Sequence, residues 1–287
     1  MNQPVKMMQP VARIGVFDSG FGGLTVLRAL LARIPAAEFF YLGDTARLPY
    51  GSKSPATVAR YAVESAHMLE SFGAEHLVIA CNTASALALD AIRAAAHVPV
   101  LGVIETGSDS AATASNTRDV LVLATAATVA SHAYARACAE RGLRALEKAC
   151  PLLVPLIEEG WTGNESGDSA TAQITRQVLD IYLNEALAEA RTRGYVVDTV
   201  LLGCTHYPLL RAMLQEALPP GIAILDSADS TARRVQRQLT AGASEPMEAA
   251  VERCHFFATD SVEKFRALGS RFLGQPIEHV ELIDLGG

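Results

Sequence analysis

The stretches HLVIACNTAS (76–85) and TVLLGCTHYP (199–208) share one plan: a short apolar run, a cysteine, then hydroxyl or amide residues that open a helix. A continuous apolar run, without polar alternation, suits a strand buried on both faces of a parallel sheet. Upstream of each lies another run that ends in a small polar turn and feeds a helix, VFDSGFGG (16–23) in one half and LVLATAAT (121–128) in the other. The chain therefore reads as a weak internal repeat of class α/β, built from two similar parallel-sheet domains. In open parallel sheets ligands bind beyond the carboxyl ends of the strands, where Cys81 and Cys204 both fall. Two such domains facing each other would place the cysteines on opposite sides of one ligand.

Further strands are predicted over 38–42, 98–103, 119–124, 198–203, 222–225 and 254–258, with helices over 24–34 and 173–191 and a polar surface loop over 162–171. Because strands follow the second half, the tail is expected to return to the first domain. The expected division is 13–104 plus 220–287 for the first domain and 105–219 for the second, with 1–12 as a flexible N-terminal extension.

At 287 residues, half of them hydrophobic, the chain can bury two cores of ordinary size. A formal charge of −7 with interspersed signs leaves no basic face for a phosphate backbone, so nucleic acid is not an expected partner. No apolar stretch is long enough to span a membrane and the N-terminal residues lack a signal-peptide core, so a soluble cytoplasmic protein is expected. The five cysteines are odd in number and form no C-x-x-C pair, which argues for reduced thiols rather than a disulfide framework. Cys204 and His206 alone are too few ligands for a closed metal site, so no metal is expected.

Each candidate residue has a chemical and a bland reading. Cys81 precedes a helix N-terminus, which lowers a thiol pKa, yet an isolated cysteine at a strand end is commonly a small core residue. Cys204 has an imidazole two residues away, and His206 could assist its proton transfers or merely fix the Tyr207-Pro208 turn. Asp18 follows the first strand, at the same sheet edge as Cys81; it could trade a proton with that thiol or cap a helix. Gly20, Gly22 and Gly23 do not complete a dinucleotide fingerprint, because its last position falls on Thr25; a turn whose amides receive a carboxylate fits them instead. Tyr50 could offer its hydroxyl or ring edge to a small ligand. Thr125 and Thr128 are spaced as a helix cap and a first-turn hydroxyl, at the counterpart of the DSGFGG turn. Glu158 and Glu159 are by default solvated charges.

Taken in order, FDSGFGGL, YLGDTARLPYGSKS, ACNTAS, ACPLLVPLIEEG and GCTHYPLL closely resemble the glutamate racemase family, over about residues 13–272. The resemblance implies two α/β domains related by pseudo-twofold symmetry, an active site at their interface, and cofactor-independent interconversion of L- and D-glutamate for peptidoglycan synthesis. It implies Cys81 and Cys204 as paired acid/base catalysts, Asp18 assisting Cys81, and His206 with Glu158 assisting Cys204. It also implies a substrate site formed by Asp18, Ser19, Pro49, Tyr50, Gly51, Asn82, Thr83, Thr125, Thr128, Thr205 and His206. Glutamate is the expected small-molecule partner; no membrane partner is expected, and a homodimer stays open. Ala124 and Ala127 depart from the family, which often has glycines there.

Two thiols answer a definite chemical need. Racemisation removes a proton from one face of the α-carbon and returns one to the other, so a thiolate and a thiol must oppose each other. Without pyridoxal phosphate there is no electron sink for the carbanion, and hydrogen bonds in a dry site must carry the stabilisation. A racemase for aspartate or another small amino acid would keep both cysteines and differ in pocket lining. A non-catalytic amino-acid sensor would not need them.

Overall fold

A computed structural model describes residues 11–163, 169–239 and 252–286. The first sheet contains β1 (Arg13–Asp18), β2 (Glu38–Gly43), β3 (His76–Ile79), β4 (Val100–Gly102), β9 (Cys254–Ala258) and β10 (Glu281–Leu282), in the order β10-β9-β2-β1-β3-β4. The second contains β5 (Asp119–Ala124), β6 (Arg144–Ala149), β7 (Thr199–Gly203) and β8 (Ala223–Asp226), in the order β6-β5-β7-β8. Every pairing is parallel. All six residues of β5 and all five of β7 are buried, as the unbroken apolar runs require.

The order β2-β1-β3-β4 reappears as β6-β5-β7-β8, which is the internal repeat in structural form. In each half the chain moves from the central strand to one side, then crosses to the other. Such a switch opens a crevice beyond the strand ends. Cys81 lies two residues past the end of β3, and Cys204 directly follows β7.

The connecting helices are α1 (Leu24–Arg33), α2 (Pro55–Ser71), α3 (Asn82–Leu87), α4 (Leu89–Ala95), α5 (Val103–Ala114), α6 (Ala126–Ser131), α7 (Ala133–Ala139), α8 (Leu153–Glu158), α9 (Ala170–Thr192), α10 (Arg211–Ala217), α11 (Ala228–Leu239) and α12 (Val262–Leu273). Ser169 caps α9 by accepting a hydrogen bond from Ala172 N–H at 3.2 Å, so the helix starts before the expected 173. Residues 170 and 171 of the expected polar loop are thus helical, while 164–168 lie outside the described residues. So do residues 1–10 of the expected extension. Helix α11 lies against α1 of the first half, where Arg33 pairs with Asp229 at 2.6 Å, and against α5, where Thr106 meets Thr231 at 2.7 Å. Among the described residues no helix is long and apolar enough to cross a membrane.

Two expectations need correction. The strand expected over 222–225 was assigned with the tail to the first domain, but β8 pairs with β7 in the second sheet; only β9 and β10 return to the first. Chain order could not decide this, because an added strand goes to whichever edge its apolar face fits. Strand β6 was not anticipated: in RALEKA only Leu146 is fully buried, so the run lacks the continuous apolar signature of an interior strand.

Asp198 anchors the turn that enters β5. Its carboxylate accepts hydrogen bonds from Ser115 Oγ at 2.7 Å, Asn116 N–H at 2.7 Å and Thr117 N–H at 2.9 Å. Although partial burial works against it, these donors hold its pKa down at about 2. Asp198→Ala should cost about 1 kcal/mol in urea unfolding, since Ser115 Oγ and two solvent-facing backbone N–H groups lose a charged acceptor.

Candidate active site

The carboxyl ends of the two sheets enclose a cavity of about 260 Å³. Of the residues singled out from the sequence, Ser19, Pro49, Tyr50, Gly51, Asn82, Thr83, Thr125, Glu158, Thr205 and His206 line it, together with both cysteines. Asp18 and Thr128 do not. Asp18 is fully buried behind the wall because its own turn draws the carboxylate back: Gly20 N–H donates to Oδ2 at 3.0 Å. Thr128 is also fully buried and reaches the cavity only through others, its Oγ1 lying 3.2 Å from Thr83 Oγ1 and 2.9 Å from Thr125 Oγ1. Thr125 caps α6 and also bonds Thr83 at 3.0 Å, so this hydroxyl triangle ties the two halves together.

Cys81 is the N-cap residue of α3, and its sulfur accepts from Ala84 N–H at 3.4 Å. The expected lowering of its pKa by the helix terminus is reversed. Burial dominates and, with the nearby Asp18 charge, pushes the thiol up to about 12, outweighing the bonds to Ser19 and Ala84. Its S–H donates to Ser19 Oγ at 3.4 Å, so among the described residues Asp18 acts on it through charge rather than a direct bond. Burial raises the pKa of Asp18 as well, against the opposing pull of His206. Asp18 Oδ1 is a buried acceptor without a hydrogen-bond partner among the described residues.

Around Cys204 the arrangement is different. Its sulfur lies 3.9 Å from His206 Nδ1, His206 Nε2 lies 3.2 Å from Glu158 Oε1, and Lys264 Nζ lies 3.4 Å from Glu158 Oε2. Burial opposes a charge on His206, but its bonds to Cys204 and Glu158 prevail and raise its pKa to about 10. The ring is therefore an imidazolium at neutral pH. Glu158 is held below its ordinary range because His206 and Lys264 overcome its burial. Glu158 is thus a partly buried ion-pair partner rather than a solvated charge, while Glu159 is exposed. Sequence reading missed Lys264: it stands 106 residues from Glu158, on a helix of the first half. Leu48, Ser52, Ala126, Pro151, Val154 and Pro155 also line the cavity, and Asp44 was missed as the acceptor that takes up the Tyr50 hydroxyl at 2.5 Å. Tyr50 therefore presents its ring to the cavity.

The charge on His206 sets a pH dependence. With a folded pKa of about 10 against an ordinary 6.5, its contribution to stability is complete below about pH 6.5 and is lost as pH rises through 10. Cys81, neutral in the fold up to about 12, adds a further loss above about pH 9. The Tm should fall steadily from pH 7 to pH 10. In His206→Gln that slope should flatten; an equally steep slope would remove His206 as its source.

A buried thiol from each half, one near a carboxylate and the other beside an imidazole, meets the same small cavity, an arrangement that can exchange protons with two sides of one small molecule. The sequence profile of the Asp/Glu/Hydantoin racemase family matches residues 14–235. Glutamate racemase from Koribacter versatilis is 52% identical, with 96% of this chain and 98% of that protein covered. The solved glutamate racemase from Francisella tularensis, in complex with D-glutamate, superposes with a TM-score of 0.81 at 32% identity, covering 96% of this chain and 98% of that one. The Thermus thermophilus enzyme, solved with beta-chloro-D-alanine, gives a TM-score of 0.79 at 39% identity over the same shares, 96% and 98%. The chain belongs to the Asp/Glu/Hydantoin racemase family, on its glutamate racemase branch, and is an isomerase, an amino-acid racemase.

Proposed function

We propose that the protein interconverts L- and D-glutamate without a cofactor, using Cys81 and Cys204 as the two acid/base groups, and that it supplies D-glutamate for peptidoglycan in the cytoplasm. The observation that carries this reading is the presence of both cysteines on one cavity, with the Asp18 charge near Cys81 and the His206 imidazole beside Cys204. In one direction the Cys204 thiolate takes the α-proton while the Cys81 thiol delivers a proton to the opposite face. The product state then has Cys204 protonated and Cys81 as thiolate, which is the state the reverse direction starts from. His206 with Glu158 draws the proton back from Cys204, while the nearby Asp18 charge disfavours the Cys81 thiolate and drives it to take a proton from solvent, which restores the starting form. Asn82, Thr83, Thr205 and Ser19 supply donors to the substrate carboxylates, whose charge otherwise opposes carbanion formation.

Incubation with L-glutamate in deuterated water, with no cofactor added, tests this reading. Optical rotation should fall to zero and deuterium should enter the α-position. If neither changes with well-folded protein, the proposal fails.

A further inference from the structure

Tyr134 belongs to no part of the site described so far, and it does not line the cavity. It is fully buried on α7, in the second half of the molecule, yet its hydroxyl donates to Asn82 Oδ1 in the first half at 2.5 Å. Asn82 is the residue after Cys81. The ring of Tyr134 lies against the residue before Cys204: a Cβ on Gly203 would stand 2.9 Å from Tyr134 Cε2. A Cβ on Gly107 of α5 would stand 3.6 Å from Cε1. One side chain thus touches the immediate neighbour of each cysteine, one through a hydrogen bond and the other through packing.

From these contacts we infer that Tyr134 is a positioning residue that sets the spacing of the two cysteine-bearing strand ends and the orientation of the Asn82 amide; the inference rests on the racemase reading of the cavity. A phenol that donates to Oδ1 fixes which end of the amide faces away from it. The Asn82 Nδ2 group is buried and has no hydrogen-bond partner among the described residues. It is the donor left for a substrate carboxylate, since a buried N–H group without a partner is costly unless a ligand satisfies it. Without the Tyr134 hydroxyl the amide can turn over and offer an oxygen to an anion. A strut with two contacts suits a two-base reaction, where a small displacement of either base is expensive.

Tyr134→Phe keeps the ring and removes the bond. Initial rates with L- and D-glutamate should show KM raised about tenfold in both directions, with kcat changed far less. In an Asn82→Ala background the same substitution should leave KM where Asn82→Ala alone puts it, because Tyr134 acts through Asn82. An unchanged KM in Tyr134→Phe, or the full tenfold rise repeated in the Asn82→Ala background, would overturn the inference. If Tyr134→Phe does not fold, Gly203→Ala reads the packing contact instead: kcat should drop about tenfold in both directions, and a parental kcat would count against the strut. Calorimetric affinity for glutamate makes the same comparison without turnover. A parent chain that binds glutamate but does not racemise it would sink the racemase reading, and the affinity of Tyr134→Phe would still decide the role of Tyr134.

Discussion

Cys81→Ser and Cys204→Ser are each expected to lower racemisation about 10³-fold in both directions, because a serine hydroxyl is too weak an acid to serve as either member of a thiol pair. The loss is symmetric: whichever enantiomer is bound, one sulfur must take the proton and the other must give it. Deuterium exchange at the α-carbon is expected to behave differently. Each variant keeps one working thiol, which can remove the proton from its own face and return a deuteron to that face after exchange with solvent. One enantiomer should therefore exchange without inversion in Cys81→Ser, and the other in Cys204→Ser. The measurement is α-deuterium content by proton NMR alongside optical rotation, from each pure enantiomer. Full racemisation by either variant would refute the two-base assignment, and exchange of the same enantiomer in both would refute the assignment of one sulfur to each face. Neither change should unfold the protein, since serine is close in size and both positions already sit beside hydroxyl groups.

Gly22→Ala is expected to lower kcat about 10²-fold, although the residue bears no functional group. A Cβ there would stand 2.2 Å from Thr205 Oγ1 and 2.5 Å from His206 Nδ1. No real contact is that short, so the β1–α1 turn or the His206 loop must move. Thr205 and His206 lie at 7% exposure each and have little room to yield outward. The displaced ring would lose its alignment between Cys204 and Glu158, which depends on contacts of 3.9 Å and 3.2 Å. Steady-state kinetics on the folded variant, with the Tm as a control, decide the matter. A Tm near that of the parent with undiminished kcat would mean that the His206 relay tolerates the shift and is not positioned by this turn.

The same glycine shows where sequence reading stops. A Gly-rich turn after β1 was recognisable as a turn, but that its Gly20 N–H goes to the protein's own Asp18 carboxylate was not. That Gly22 makes room for His206, 184 positions away in the chain, is set by the packing of one half on the other. Asp18 is a similar case: its place at the sheet edge followed from strand order, but whether its carboxylate faced the ligand or turned back to Gly20 N–H depended on the turn itself. The pKa of Cys81 went the opposite way to the helix-terminus argument, because the depth of its burial is a property of the whole cavity wall.

The sequence by itself determined the class of the fold, the place of both cysteines at strand ends, and the correspondence of the two halves. These follow from local periodicity: a strand buried on both faces needs an unbroken apolar run, and the residue after it must stand at the sheet edge. Tertiary structure alone decided the rest. It sent β8 to the second sheet, kept Asp18 and Thr128 behind the wall, paired Glu158 with His206 and Lys264, and ran Tyr134 from one cysteine motif to the other. The pairings of β8, Glu158 and Tyr134 join residues 24 or more positions apart in the chain, and their energy depends on burial and distance, which exist only once the elements have packed; Asp18 is turned back by a bond within its own turn, whose geometry the residue types alone do not set.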